Sequence, residues 1–283
     1  MNLTFLGTGA APSNPLPFCR CNNCQQAREL GGRSFRKRSS LLVNNDLIID
    51  LGPDIMSASL LFDVDLSSVR YCLQTHPHGD HFDISNLFSR HPEYAPVDVP
   101  PLSFYASAVT LQQAAKLAED ELLGAKLLDP IYCQQLNLEI HKVEPLRPFD
   151  VGHYKVIAFP ANHGPETSSL LYSVSADGQT IFYGTDTAQI PEETWKGFHL
   201  TQIKFNIVIL DHTYGLGFAR DDDHLNAAQF IDQVARMRNE GILADNARIL
   251  ATHISHEGNP VHPELSKYAA KNGYEIAYDG LSI

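Results

Sequence analysis

The 283-residue chain has no apolar run near the roughly 20 residues that a bilayer-spanning helix needs, so no membrane anchor is expected. Its start, Met1 to Gly9, lacks the basic region and long apolar stretch of a secretory leader, which predicts a cytoplasmic protein. Positive charge is scarce: 21 lysines and arginines face 33 aspartates and glutamates, for a formal net charge of -12. A field of that sign repels polyanions, so extended nucleic-acid binding is disfavoured and a phosphate contact must be built locally. No internal repeat or low-complexity segment stands out. Cysteine is sparse and uneven. Three of the five crowd into Cys19-Arg20-Cys21-Asn22-Asn23-Cys24, too tight for a disulfide framework in a reducing compartment, and metal binding is the better reading.

What is present is a succession of short apolar runs bounded by turn residues, several ending in Asp, His or Gly. Asn2 to Leu6, Ser40 to Val43 and Leu47 to Leu51 predict an opening antiparallel set, with Asn44-Asn45 as a turn. Val69 to Gln74 predicts a strand that enters a histidine-rich loop. Tyr154 to Ala158, Leu170 to Val174 and Thr180 to Tyr183 predict a second set, Ala176-Asp177-Gly178 making the hairpin turn between the last two. Phe205 to Asp211 and Arg248 to Thr252 flank a helical stretch, 226 to 239, whose Ala227, Phe230, Ile231, Val234 and Met237 share one face. The whole reads as one α/β domain. The proline-rich stretch and the amphipathic helix from Ala108 to Glu119 form an elaboration at about 86 to 135, a candidate lid.

The densest chemical signal is His76-Pro77-His78-Gly79-Asp80-His81, four metal-type ligands within six residues just after a predicted strand. A turn there can point them at two neighbouring centres. Imidazole suits zinc, iron or manganese, and the carboxylate adds a hard oxygen ligand.

That HxHxDH run after an apolar strand resembles the signature of the metallo-β-lactamase superfamily at every defined position. The resemblance implies an αββα four-layer sandwich with the metal site at the edge between the two sheets. It also implies further ligands at later strand ends: His163 in Asn162-His163-Gly164, Asp186 in Gly184-Thr185-Asp186-Thr187, and His253 in Thr252-His253-Ile254. Carried over, one divalent metal takes His76, His78 and His163 and the other Asp80, His81 and His253, with Asp186 bridging. A hydroxide shared between zinc, manganese or iron ions is then the nucleophile, since metal binding lowers the pKa of water from 15.7 to about 7.

Cys19, Cys21 and Cys24 together with His256, three residues after His253, resemble the knuckle of PhnP-type phosphoribosyl cyclic phosphodiesterases, where a Cys₃His set holds one structural zinc. Gly7-Thr8-Gly9, Arg38-Ser39-Ser40 and Ile49-Asp50-Leu51-Gly52-Pro53-Asp54 extend that likeness, whereas the segment between His81 and His163 departs from it. The same resemblance places His224 as general acid, with Asp211 to orient it. It implies a metal-dependent phosphodiesterase acting on a small, cyclic diester, and a homodimer is the default expectation for such an enzyme. Two alternatives stay open. A ribonuclease Z-like tRNA 3′-processing endonuclease shares the seven ligands but carries a long arm between the third histidine and the bridging aspartate, where only 22 residues lie here. That branch also typically has His-Glu-Ala-Thr where this chain has Leu210-Asp211-His212-Thr213. A PqqB-like non-hydrolytic iron enzyme has a similar knuckle. The basic run Arg33, Arg36, Lys37 and Arg38 reads either as a solvated loop or as a phosphate attractor.

Overall fold

A computed structural model of the chain describes residues 1–95, 100–121, 126–218 and 222–283. The first sheet begins with antiparallel β1 (Leu3–Gly7), β2 (Ser40–Val43) and β3 (Leu47–Ile49). It continues in parallel through β4 (Tyr71–Leu73), β5 (Leu102–Ala106) and β6 (Leu138–Lys142). The second opens with the antiparallel β7 (Pro148–Val151), β8 (Tyr154–Pro160), β9 (Leu170–Ala176) and β10 (Gln179–Gly184). From β10 it runs parallel through β11 (Phe205–Asp211), β12 (Leu243–Thr252) and β13 (Glu275–Ile276).

Alternation along the strands explains the layering, because successive side chains point to opposite faces. Leu41, Val43, Leu47, Ile49, Val156, Ile181, Ile207 and Ile209 meet in one core between the sheets. Their neighbours Leu42, Ile48 and Phe104 face outward from the first sheet, under Ile55 and Ala58 of α2 (Ile55–Phe62) and Leu111, Ala114 and Ala118 of α4 (Ala108–Glu121). Phe182, Val208 and Leu210 face outward from the second, under α6 (Glu192–Thr201), α7 (Ala227–Asn239) and α8 (His262–Lys271). Three cores between four layers make the αββα sandwich that the sequence predicts. The remaining helices are short: α1 (Asn22–Leu30), α3 (Ser85–Phe88) and α5 (Pro130–Gln135). Among the described residues no helix is long and apolar enough to cross a membrane.

The expected strands form, with ends displaced by a few residues, and α7 starts where its capping box allows. Asn226 accepts from the Gln229 amide at 2.9 Å while Gln229 Oε1 accepts from the Asn226 amide at 3.0 Å. Four strands carry no isolated signal in the sequence. β5 follows a proline-rich stretch, β6 and β7 are half-exposed edges that carry charged residues, and β13 is two residues long. The stretch read as an elaboration and lid supplies β5, which pairs with both β4 and β6, and α4, which covers their outer face. It is built into the first sheet.

The strand directions position the site. β3, β4, β8, β10, β11 and β12 all deliver chain to one end of the sandwich, where Asp50, the His76–His81 loop, His163, Asp186, Asp211 and His253 follow or finish them.

Away from that end, Asp177 and Gly178 (φ 52° and 73°) close the β9–β10 hairpin as a left-handed turn. A Cβ on Gly178 would meet no atom within 4 Å, so Gly178→Ala adds backbone strain alone. We expect a loss of about 1–2 kcal/mol in urea denaturation with unchanged metal content; a loss of metal would show that the turn reaches the site.

Candidate metal centre

Four of the expected ligand imidazoles at the convergent end, all but that of His78, are held by their outer nitrogens. Thr75 Oγ1 donates to Asp50 at 2.8 Å and so accepts from His76 Nδ1 at 2.9 Å. His163 Nδ1 donates to the Asp223 carbonyl at 3.1 Å, His81 Nδ1 to Asp50 at 2.6 Å and His253 Nδ1 to Thr213 Oγ1 at 2.8 Å. With those protons placed, the Nε2 lone pairs face inward. There His76 Nε2 lies 3.0 Å from His78 Nδ1, which lies 3.2 Å from His163 Nε2; His81 and His253 bring their Nε2 atoms to 3.3 Å.

Between the two groups sits Asp186. Its Oδ2 is 3.1 Å from His76 Nε2 and 2.8 Å from His81 Nε2, while Oδ1 is 2.8 Å from His253 Nε2. Asp80 Oδ2 closes the second group at 3.2 Å from His81 and 3.5 Å from His253. With the imidazoles neutral and in those tautomers, buried Asp186 Oδ1 has no hydrogen-bond donor. Acceptors directed at acceptors in a buried space need a cation. Nitrogen ligands at about 2.0–2.1 Å around a tetrahedral ion sit roughly 3.3 Å apart, so the spacing fits metal binding. Burial opposes charge on His253, but Asp186 and Asp80 lift it to about 10; burial drops His76 to about 3. Burial also opposes ionisation of Asp186, yet His253 and His81 hold its carboxyl well below the usual range.

All seven expected ligands therefore meet, in two groups, His76, His78, His163 and Asp80, His81, Asp186, His253. His224 lies beside them, its Nδ1 2.9 Å from Asp211 Oδ2. Asp211 is fixed by the amides of Thr213 at 2.9 Å and Leu225 at 3.2 Å. His78, His163, His224 and His253, with Ala10 and Pro12 opposite, line a cleft of 180 Å³.

Asp50 escaped assignment to the site from sequence alone. It is fully buried, has φ 69°, and binds the Thr75 amide at 2.8 Å as well as His81. The Asp-Leu-Gly sequence after an apolar strand is the one signal that points to it. Gly52 belongs to the same device, since a Cβ there would sit 2.7 Å from the Asp80 carbonyl oxygen.

On the loop that follows His253, His256 assembles with Cys19, Cys21 and Cys24 as a second cluster. Cys21 caps α1, its sulfur accepting from the Cys24 amide at 3.4 Å, and lies 3.5 Å from His256 Nδ1, with Cys19 at 3.9 Å. Zinc bonds of about 2.3 Å to sulfur and 2.0 Å to nitrogen place those atoms roughly 3.5 Å apart, so this set also fits. Burial raises Cys21, but the Cys24 amide and His256 outweigh it and bring the thiol down to about 6.

The side chains of the basic run have partners on the protein. Arg36 is buried and donates to Thr8 and the Ala277 carbonyl, each at 2.7 Å. Arg38 pairs with Asp54 at 2.9 Å, and Arg33 and Lys37 lie over Tyr278 and Phe62. Arg36 is thus used inside the fold, while Lys37 and Arg38 are half-buried and Arg33 stays exposed.

The beta-lactamase superfamily domain model matches residues 45–254, and the chain belongs to that family. Over 168 residues it is 24% identical to a ribonuclease Z of Methanocaldococcus jannaschii, a match spanning 58% of this chain and 44% of the relative. The structure is similar to that of a diphosphatase from the PhnP family, with a TM-score of 0.74 at 20% identity, covering 100% of this chain and 96% of the other. It is similar also to Zn²⁺-bound PqqB from Methylobacterium extorquens, with a TM-score of 0.65 at 16% identity, covering 100% and 99%.

Two clusters of different chemistry should release metal differently. A mild chelator is expected to strip the His/Asp groups without unfolding the protein, while zinc stays with the closed cysteine set. Cys21→Ser should remove that zinc and lower the thermal midpoint by roughly 5 °C or more, leaving metal at the His/Asp groups. Metal analysis beside a melting curve checks both; simultaneous loss of all metal and fold at one chelator dose would refute the separation.

Proposed function

We propose that this chain is a metal-dependent hydrolase that cleaves small phosphodiesters, cyclic or simple. The reading rests on the convergence of seven metal-type ligands with the Asp211–His224 pair at one cleft of 180 Å³. His76, His78 and His163 would hold one divalent ion and Asp80, His81 and His253 the other, with Asp186 between them; zinc, manganese and iron all suit this donor set. When bound, such ions supply an activated water at neutral pH and a clamp on the phosphoryl oxygens.

The chain's own residues do the rest. Asp50, Thr75 and Thr213 hold the imidazoles in the tautomer that turns lone pairs inward. Asp211 accepts from His224 Nδ1, which leaves His224 Nε2 to carry the proton that a departing alkoxide takes up. The four cysteine-knuckle ligands would hold a structural zinc that ties the start of the chain to the loop after β12.

Substrate size follows from what borders the cleft. The interval between His163 and Asp186 is filled by β9, β10 and a tight turn, which leaves no arm to hold a folded RNA, and the net charge is -12. The ribonuclease Z match favours a second reading, RNA cleavage at the same centre.

His224→Ala should lower kcat about 100-fold or more on a diester with an alkyl leaving group, and by less than tenfold on one with nitrophenolate, which leaves without a proton. Equal losses would show that His224 positions phosphate instead.

Under matched enzyme and metal concentrations, small cyclic or nitrophenyl diesters should be hydrolysed with weak salt dependence and a precursor tRNA hardly at all. Site-specific cutting at the tRNA 3′ end that moderate salt suppresses would establish the second reading.

A further inference from the structure

On the other side of the His76–His81 loop lies a larger cleft, of 740 Å³, walled by α4. Pro77 and Gly79 form its wall while their neighbours His78 and Asp80 line the metal-side cleft, so the loop is shared by both. α4 contributes Gln113, Lys116, Leu117 and Asp120, spaced i, i+3, i+4, i+7, which is one face of a helix. Among the described residues, the side chains of Gln113, Lys116 and Asp120 make no hydrogen bond or ion pair within the protein. Across the cleft stand Asp83, whose Oδ1 accepts the Ser85 amide at 2.9 Å, and Phe82.

Resting on the phosphodiesterase reading, we propose that this cleft binds the part of the substrate beyond the scissile phosphate, and that this part is neutral and hydroxylated, a polyol or sugar. Two carboxylates against one ammonium disfavour a second anionic group. Hydroxyls are matched on both counts, since they donate to Asp83 and Asp120 and accept from Lys116 and the Gln113 amide. Leu117 offers carbon surface to the C–H faces of such a group. α4 thus forms the wall that selects substrate.

The test uses the manganese-loaded full chain and three p-nitrophenyl phosphodiesters that differ only in their second alcohol: glycerol, ethanol or glycolic acid. The glyceryl ester should exceed the ethyl ester at least tenfold in kcat/KM, with the carboxylated ester lowest. Lys116→Ala and Asp120→Asn should each cut the glyceryl value at least fivefold and narrow its lead to within twofold, while Glu119→Gln, outside the cleft lining, should leave the ratio unchanged. Calorimetry with the unreactive glyceryl and ethyl methylphosphonates should show the same preference in Kd. Hydrolysis without the preference, or a preference that survives both variants, overturns this inference alone. Failure to hydrolyse any of the esters overturns the phosphodiesterase reading and this inference with it.

Discussion

A carboxylate surrounded by imidazole lone pairs governs the architecture at one end of this molecule. Asp186 is buried and negatively charged, and three nitrogens approach it to 2.8–3.1 Å without satisfying Oδ1 by a hydrogen bond. Such an arrangement is costly unless positive charge enters it. Proton binding is one source, as the raised His253 indicates, and divalent metal is the other. The sandwich brings the ligands to one end, and the ligands in turn require a cation there.

Rigidity comes from a second ring of groups. Asp50 joins His81, Thr75 and Gln74, so the strand-to-loop passage after β4 is tied to the end of β3. Asp211 and Thr213 do the same for His253 and His224. Three of these residues, Asp50, Asp186 and His253, hold left-handed backbone at φ 69°, 55° and 56°. Each costs on the order of 1–3 kcal/mol, strain that the surrounding sheet ends must hold in place. That conformation turns each side chain sharply out of its strand direction and toward the common centre.

The cysteine cluster bears on the same centre from outside. His256 follows His253 by three residues, and Asn23 binds the His256 carbonyl at 2.8 Å, so the knuckle grips the loop that carries a candidate ligand. On the opposite flank α4 faces the His76–His81 loop across an open cleft. One side of the site is tied down through residues 19–24, and the other is bordered by α4.

The ligands sit in short local motifs, so His76, His78, Asp80 and His81 could be picked out from their own spacing, and His163, Asp186 and His253 from the resemblance to the metallo-β-lactamase superfamily, before any fold was known. The same holds for the alternating strands and the helix after Asn226, whose periods are written in adjacent residues. Tertiary structure alone decided what depends on distant pairing. It buried Arg36 against Ala277, which withdrew one charge of the basic run from the surface. It set β5 between β4 and β6, because a short strand after prolines becomes recognisable only by its neighbours. It also placed Asp50 against His81, 31 residues away, a contact that exists because β3 and β4 run parallel and end together. Local periodicity records which face of an element is apolar. Which elements meet, and therefore which carboxylate orients which imidazole, is settled by the summed burial of the whole chain.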